Sequence, residues 1–536
     1  MRRWNGWGDE ANEYELKPSG LAFLQQRLGT ATPLPDASLE HVLARVPASR
    51  LPTHRLVDVS AEIRIRHARG QSLPDWLAMR SGEMGPFPDG VAEPDSSAQV
   101  RELLDWALSN DVLVIPYGGG TSVAGHINPP ALDAPVLTLS LAKMNKLINL
   151  DPVSQIATFG AGTAGPALEQ QLRERGYLLG HFPQSWELST VGGWIASRSS
   201  GQQSMRYGRI EQMFAGGRLE SPRGTLVIPT IPASSAGPDL REVVMGSEGR
   251  FGVLTEVKVR VTPLPEKEEF HVAFAPDWNT AVDLVRSMAQ AKLPLSMLRV
   301  SNAEETRSHL KLAGHENLVR WLEKYLALRG NADGKCMITF GVTGQARACA
   351  QNLAEAKRRI GAVGGVHVGT LLGKKWEESR FRSPYLRHGL WEHGYAVDTL
   401  ETCVDWTQVP DTVANIEQAI RDNCGDDGKV HVFTHLSHLY PQGSSIYTTY
   451  VFRCSATYDE TRTRWAQMKK AASDVIAAMG GTISHQHGVG RDHTPWLKHE
   501  KTEQGIAVLE TLARHFDPTE QMNPGCLLGK NSFQEK

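Results

Sequence analysis

The spacing of apolar residues changes several times along the chain, and each change marks an element. Over VRELLDWALSN (100–110) they recur every three or four positions, which predicts a helix with one apolar stripe. DVLVIPYG (111–118) is a nearly continuous apolar run and reads as a buried strand. VLTLSL (136–141) and SQIATFG (154–160) read as further strands, and ALEQQLRERG (167–176) as a helix. This alternation predicts a layered domain of helices and sheet. A second such pattern begins near residue 268, with strand HVAFAP and a helix from about 278. It continues through strands CMITFGV (336–342) and SIYTTYVF (445–452) to a helix at 459–479. Strand alternation puts Tyr447 on the face opposite Thr448 and Tyr450.

These patterns divide the chain into a helical N-terminal extension (1–87), a first domain (88–267), a second α/β domain (268–500) and a C-terminal segment (501–536). The stretch 184–210, QSWELSTVGGWIASRSSGQQSMRYGRI, is too polar for core and too long for an idle turn.

Glycine clusters punctuate the first domain. In IPYGGGTSVAGH (115–126) three glycines directly follow the strand. Glycine permits positive φ and close approach of another molecule, and successive free N–H groups form a concave nest for phosphate. A tight turn without a ligand is the plain alternative. No Lys follows, so this is not a P-loop. Gly160, Gly162 and Gly165 have the GxGxxG spacing of a dinucleotide fingerprint. That motif needs an acid about 20 positions later at a strand end. Over 177–187 the first acid is Glu187, in a proline-bearing loop, so a glycine-rich strand-to-helix turn is the better reading.

With 40% hydrophobic and 22% charged residues and a net charge of −2, the 536-residue chain has an ordinary globular composition. No basic excess points to nucleic acid, and no uncharged run of about 20 residues suggests a span. The first residues lack the apolar core of a secretory signal, and SFQEK is no SKL-type peroxisomal address. Six scattered Cys without a CxxC pair predict reduced thiols and a cytoplasmic location.

Taken in order, PYGGGTS, QSWELSTVGGW, SRSSG and GSEGRFGV resemble the FAD-binding domain of the vanillyl-alcohol oxidase/PCMH flavoprotein superfamily. With RRWNGWG, SHQHGVG and FDP…NPG, the chain from Arg2 to about Leu528 resembles the alkyldihydroxyacetonephosphate synthase family. The resemblance implies an α+β fold, with a PCMH-type FAD-binding domain and an α/β cap domain for substrate. It implies that FAD is held by four segments. The first is Pro116, Tyr117, Gly118, Gly119, Gly120, Thr121 and Ser122, and the second is Gln184, Ser185, Trp186, Glu187, Leu188, Ser189 and Thr190. The third is Ser197, Arg198, Ser199 and Ser200, and the fourth is Glu248, Gly249, Arg250, Phe251, Gly252, Val253 and Leu254. His126 lies beyond the first loop, so non-covalent FAD is expected and His126 is read as structural.

The resemblance further assigns Arg387 to the substrate phosphate and Arg299 to a place near the substrate, and Tyr447, His485 and His487 to proton movement. On the residues alone, each has an ordinary structural role as the alternative. Where the family has three consecutive His, the middle position here is Gln486. The implied reaction replaces the acyl chain of acyl-dihydroxyacetone phosphate with a fatty alcohol, through a flavin adduct and without net redox. A homodimer and a peripheral membrane contact are implied as well. A competing reading is an FAD-dependent oxidase or dehydrogenase of a D-2-hydroxy acid. Many such relatives carry a metal-binding HxGDGNxH segment, but FTHLSHLYPQGSS lacks the GDGN, so no metal is expected. A catalytically silent flavoprotein is the third reading.

Overall fold

The computed structural model describes residues 1–312, 316–425 and 428–529. Strands β1 (Val57–Asp58), β2 (Gly90–Ala92), β3 (Leu113–Tyr117) and β4 (Val136–Ser140) form a sheet in the order β1-β2-β4-β3. β4 pairs in parallel with both β2 and β3. A second, antiparallel sheet of order β5-β6-β10-β8-β9 contains β5 (Leu147–Asp151), β6 (Ile156–Gly160), β8 (Phe214–Ser221), β9 (Gly224–Ile228) and β10 (Val253–Arg260). β7 (Tyr177–Leu178) and β11 (Thr262–Pro263) make a small ribbon. The helix predicted at 100–110 forms as Ser97–Ser109, with Ser96 capping it by accepting the amide of Gln99.

The GxGxxG glycines begin at the last residue of β6, whose neighbours β5 and β10 are both antiparallel, so no parallel βαβ unit stands there. Their role is close packing: a Cβ on Gly160 or Gly162 would run into the carbonyls of Met144 or Leu141. The stretch 184–210 holds short helices Val191–Ser197, Ser204–Tyr207 and Ile210–Met213 rather than one long loop.

One apolar core joins both sheets through Val114, Leu139, Phe159, Trp194 and Val257. The C-terminal stretch reaches the same core with Leu497, Phe516, Met522 and Leu528. It lies along β3, where the Val114 amide donates to Gln521 and the Asn523 amide donates to Val114.

The third sheet is antiparallel and seven-stranded, in the order β15-β12-β14-β13-β17-β18-β16. Its strands are β12 (Lys267–Ala275), β13 (Met297–Ser301), β14 (Cys336–Gly344), β15 (Val366–Gly369), β16 (Tyr395–Asp405), β17 (His431–Leu436) and β18 (Gly443–Arg453). Alternation sorts its residues. Leu298, Ile338, Leu400, Val432, Ile446 and Tyr450 pack into the apolar cores on one face, with residues of helices Trp278–Gln290, Val409–Asp422 and Tyr458–Ala478. Met297, Arg299, Thr339, Thr399, His435, Tyr447 and Thr449 turn to the other face and line a cavity. The N-terminal extension is only partly helical. Leu16, Leu24 and Leu28 pack on Tyr395 and Val451 of the third sheet, while β1 joins the first.

Arg250 and Asp517 form a fully buried ion pair at 2.9 Å, and Asp517 also accepts the amides of Gln521 and Met522. Asp517→Ala removes the carboxylate from this buried pair, a loss of about 3–5 kcal/mol. We expect a thermal unfolding midpoint several degrees lower than that of the unaltered protein.

Candidate active site

The first glycine loop begins where β3 ends. Gly120 has φ +69°, and Gly118 and Gly119 lie so close to Thr190 and the Leu188 carbonyl that no side chain fits there. Thr190 starts the helix Val191–Ser197 by accepting the Gly193 amide at 3.4 Å. Among the described residues, the amides of Gly118, Gly119, Gly120, Thr121 and Ser122 donate to no protein acceptor. Consecutive free amides on a glycine loop form an anion nest sized for phosphate.

This nest opens on a cavity of about 960 Å³ that continues to the third sheet. From the four predicted segments, Pro116–Ser122, Gln184, Ser185, Ser189, Thr190, Ser197, Ser199, Ser200, Glu248, Gly249, Gly252 and Leu254 line it. The other predicted residues stand behind and hold those segments. Trp186 stacks on Phe381 with ring centroids 4.6 Å apart, and Glu187 accepts the Tyr385 hydroxyl at 2.9 Å. Leu188 supplies the carbonyl under Gly119, and Arg198 pairs with Glu242 at 2.8 Å. Arg250 pairs with Asp517, Phe251 stacks on Phe516, and Val253 is core.

Glu248 ties the cradle to the turn 488–490. Its carboxylate accepts the amides of Val489 (2.6 Å) and Gly490 (2.7 Å), and His126 Nε2 lies 3.3 Å away. Burial opposes its ionisation, but His126 and the two amides outweigh this and hold the carboxyl below its usual range. His126 Nδ1 is 2.5 Å from Ser122 Oγ.

Across the cavity, β17, β18 and β16 place His435, Tyr447 and Glu401 side by side in register. His435 stacks on the Tyr447 ring at 4.8 Å, and His487 meets its edge at 5.9 Å. The Tyr447 hydroxyl donates to Thr399 Oγ1 at 3.2 Å. Burial raises its pKa above the ordinary phenol value, so it is protonated at neutral pH. Burial lowers the pKa of His487 despite the opposing pull of Glu401, so its imidazole is neutral there.

His485 does not line the cavity. Its Nε2 lies 2.7 Å from Tyr440 Oη and 2.9 Å from Arg209 Nη1, on the far side of Glu401. Gln486 lines the cavity with His487, and its amide donates to Glu401 at 2.7 Å.

Arg387, on the helix Leu386–Trp391, reaches the same cavity. It donates to the carbonyls of Gln71 (2.7 Å) and Val397 (3.3 Å) and lies over the Trp76 ring. Its nearest carboxylate is Asp398 at 3.6 Å, which already accepts from Trp465 at 2.6 Å. Burial lowers its pKa, a sign that its charge is only partly compensated. Arg299 sits within β13 and faces the cavity, but its guanidinium is committed to Glu305 at 2.7 Å, beside His435. Glu305 and Glu401 escape a motif search, because an isolated acid in an alternating strand or helix gives no local signal.

Residues 88–228 match the FAD binding domain family, and residues 264–527 match the C-terminal domain family of FAD linked oxidases. The alkyldihydroxyacetonephosphate synthase of Dictyostelium discoideum is 30% identical, over 98% of this chain and 93% of its own. A solved alkyldihydroxyacetonephosphate synthase structure covers 98% of both chains at 26% identity, with a TM-score of 0.84. The structure of p-cresol methylhydroxylase shares the fold, with a TM-score of 0.68 at 13% identity over 95% of this chain and 97% of its own. FAD is the cofactor, and the amide nest fits its pyrophosphate. Gly119→Ala drives a methyl group into the Leu188 carbonyl. We expect the purified variant to keep its circular dichroism and lose visible flavin absorbance.

Proposed function

The chain belongs to the alkyldihydroxyacetonephosphate synthase family, and we propose that it exchanges the acyl chain of acyl-dihydroxyacetone phosphate for a fatty alcohol without net redox. The carrying observation is a single cavity that joins the FAD cradle to Arg387 and to the Tyr447–His487 pair. Bound FAD supplies the ring centre at which one oxygen substituent is exchanged for another. Each flanking residue has a part that its surroundings allow. Arg387 holds the phosphate, since the burial of its guanidinium outweighs the pull of Asp398 and Asp75 and so favours an incoming anion. His487, neutral near pH 7, takes the proton of the incoming alcohol, and Tyr447, protonated, donates to the departing group. Arg299 lines the cavity and acts through Glu305, which it pairs with, and through His435 beside that pair.

In this reading residues 88–267 hold FAD non-covalently, residues 268–500 form the substrate domain, and the C-terminal segment from 501 returns to the FAD domain through residue 529, residues 530–536 lying outside the described residues. Leu310, Leu312, Leu372 and Phe433 line the cavity and suit the lipid chains. Beside them, the helix Glu316–Leu328 packs Val319, Leu322 and Leu326 inward while Leu318, Trp321, Tyr325 and Leu328 face solvent. Trp321 is 72% and Leu328 86% exposed, which fits a peripheral contact with a membrane. No helix among the described residues is long and apolar enough to cross one. The free cysteines fit a reducing cytoplasm, and a homodimer is the expected assembly.

Two measurements test this. Holoenzyme given acyl-dihydroxyacetone phosphate and labelled hexadecanol without oxygen is expected to yield labelled ether, with no build-up of reduced flavin. Tyr447→Phe should keep its flavin and lose about 100-fold or more in rate. Bleaching by a D-2-hydroxy acid with no ether formed would overturn the reading. Separately, Trp321→Glu combined with Leu328→Glu should abolish flotation with phospholipid vesicles and leave activity on detergent-dispersed substrate intact.

A further inference from the structure

Glu401 is among the most completely enclosed acids in the protein, at 3% exposure. Its Oε1 accepts the amides of Gln486 (2.7 Å) and His487 (2.8 Å). His487 Nδ1 lies 3.4 Å from the same oxygen. Oε2 faces His485 Nδ1 at 3.8 Å, and both of these buried atoms lack a hydrogen-bond partner.

Donor chemistry fixes the tautomer of His485. Arg209 can only donate, so His485 Nε2, 2.9 Å from its guanidinium, carries the lone pair. Neutral His485 therefore has its proton on Nδ1, directed at Glu401. His487 Nδ1, 3.4 Å from Glu401 Oε1, stands where a proton is favoured by the carboxylate charge, and a neutral ring protonated there leaves its Nε2 lone pair to a substrate in the cavity.

We propose that Glu401 is the positioning residue of this site: it fixes the tautomer of His487 and stabilises the imidazolium formed there, while His485 acts only by holding Glu401. This rests on the reaction proposed above. The alcohol O–H proton passes to His487 Nε2, and the oxygen keeps its electron pair for the new carbon–oxygen bond. Glu401 stays ionised and balances the imidazolium. The groups facing His487 are Glu401, Lys469, Asp398, His126, His493 and Tyr447. Those facing His485 are Glu401, Arg209, Glu211, Tyr440 and His438.

The test is an NMR titration of imidazole Cε1–H signals in flavin-loaded protein, with His487→Asn assigning the resonance, alongside the pH profile of ether formation. In Glu401→Gln the two amides keep an acceptor but the charge is gone. The His487 pKa is expected to fall by about one unit or more, tenfold in proton affinity, and Glu401→Asp to restore most of it. An unchanged His487 titration in folded, yellow Glu401→Gln protein overturns the proposal. His485→Gln supplies a second arm: a rate loss of about tenfold or less supports a positioning role. A loss as deep as that of His487→Gln means that His485 meets the reacting atoms, and the proposal falls. If the unaltered enzyme makes no ether, the reaction reading fails, while the titration still decides whether Glu401 sets the His487 proton.

Discussion

The site depends on one buried carboxylate, that of Glu248, joining two parts of the chain that arrive separately. It lies in the fourth cofactor segment, and its two oxygens take the amides of Val489 and Gly490, just past the histidine turn. Its backbone is left-handed, with φ 52°, a conformation that costs a non-glycine residue about 1–3 kcal/mol. Burial of a charge costs more still. Both are offset because the carboxylate answers two amides and the His126 ring at once, and a neutral side chain could not. The glycine loop is tied in through Ser122 and His126, so the cofactor cradle and the histidine turn share one connection.

On the opposite wall, precision comes from strand register rather than from loops. His435, Tyr447 and Glu401 stand at one level on three adjacent strands, and the alternation that buries Ile446 and Tyr450 forces Tyr447 toward the cavity. A one-residue slip of β18 would send Tyr447 into the core. The apolar core behind the sheet therefore sets the geometry in front of it. A buried Glu–His pair on each side, Glu305 with His435 and Glu401 with His487, then fixes the electrostatics around the phenol.

Much of this was legible in the sequence because it is local. The helix and the strand before GGGTS and the alternating strand around Tyr447 follow from short-range periodicity and glycine placement. The long-range pairings were not legible. β5 escaped notice because LINLD is largely exposed and carries no continuous apolar signal. The turn after β6 matched a fingerprint by spacing, yet its glycines answer to the carbonyls of Met144 and Leu141. His485 and His487 look equivalent in SHQHGVG, but they lie on opposite sides of a carboxylate some 85 positions earlier in the chain, as the Glu401–Gln486 bond spans. Arg299 looks like a free anion clamp until Glu305 is found beside it.

The same geometry bears on Gln486, where relatives are expected to carry His. The structure uses the backbone of this position: its amide is one of the two that hold Glu401. Any residue except proline supplies that amide. The Gln486 side chain faces the cavity, where an amide can donate and accept but cannot be protonated near neutral pH. In the proposed reaction proton transfer therefore falls to His487, whose ring meets Tyr447 and whose Nδ1 faces Glu401. Replacing the middle imidazole removes one titratable group from the cavity wall and leaves intact the carboxylate contacts that orient the other two.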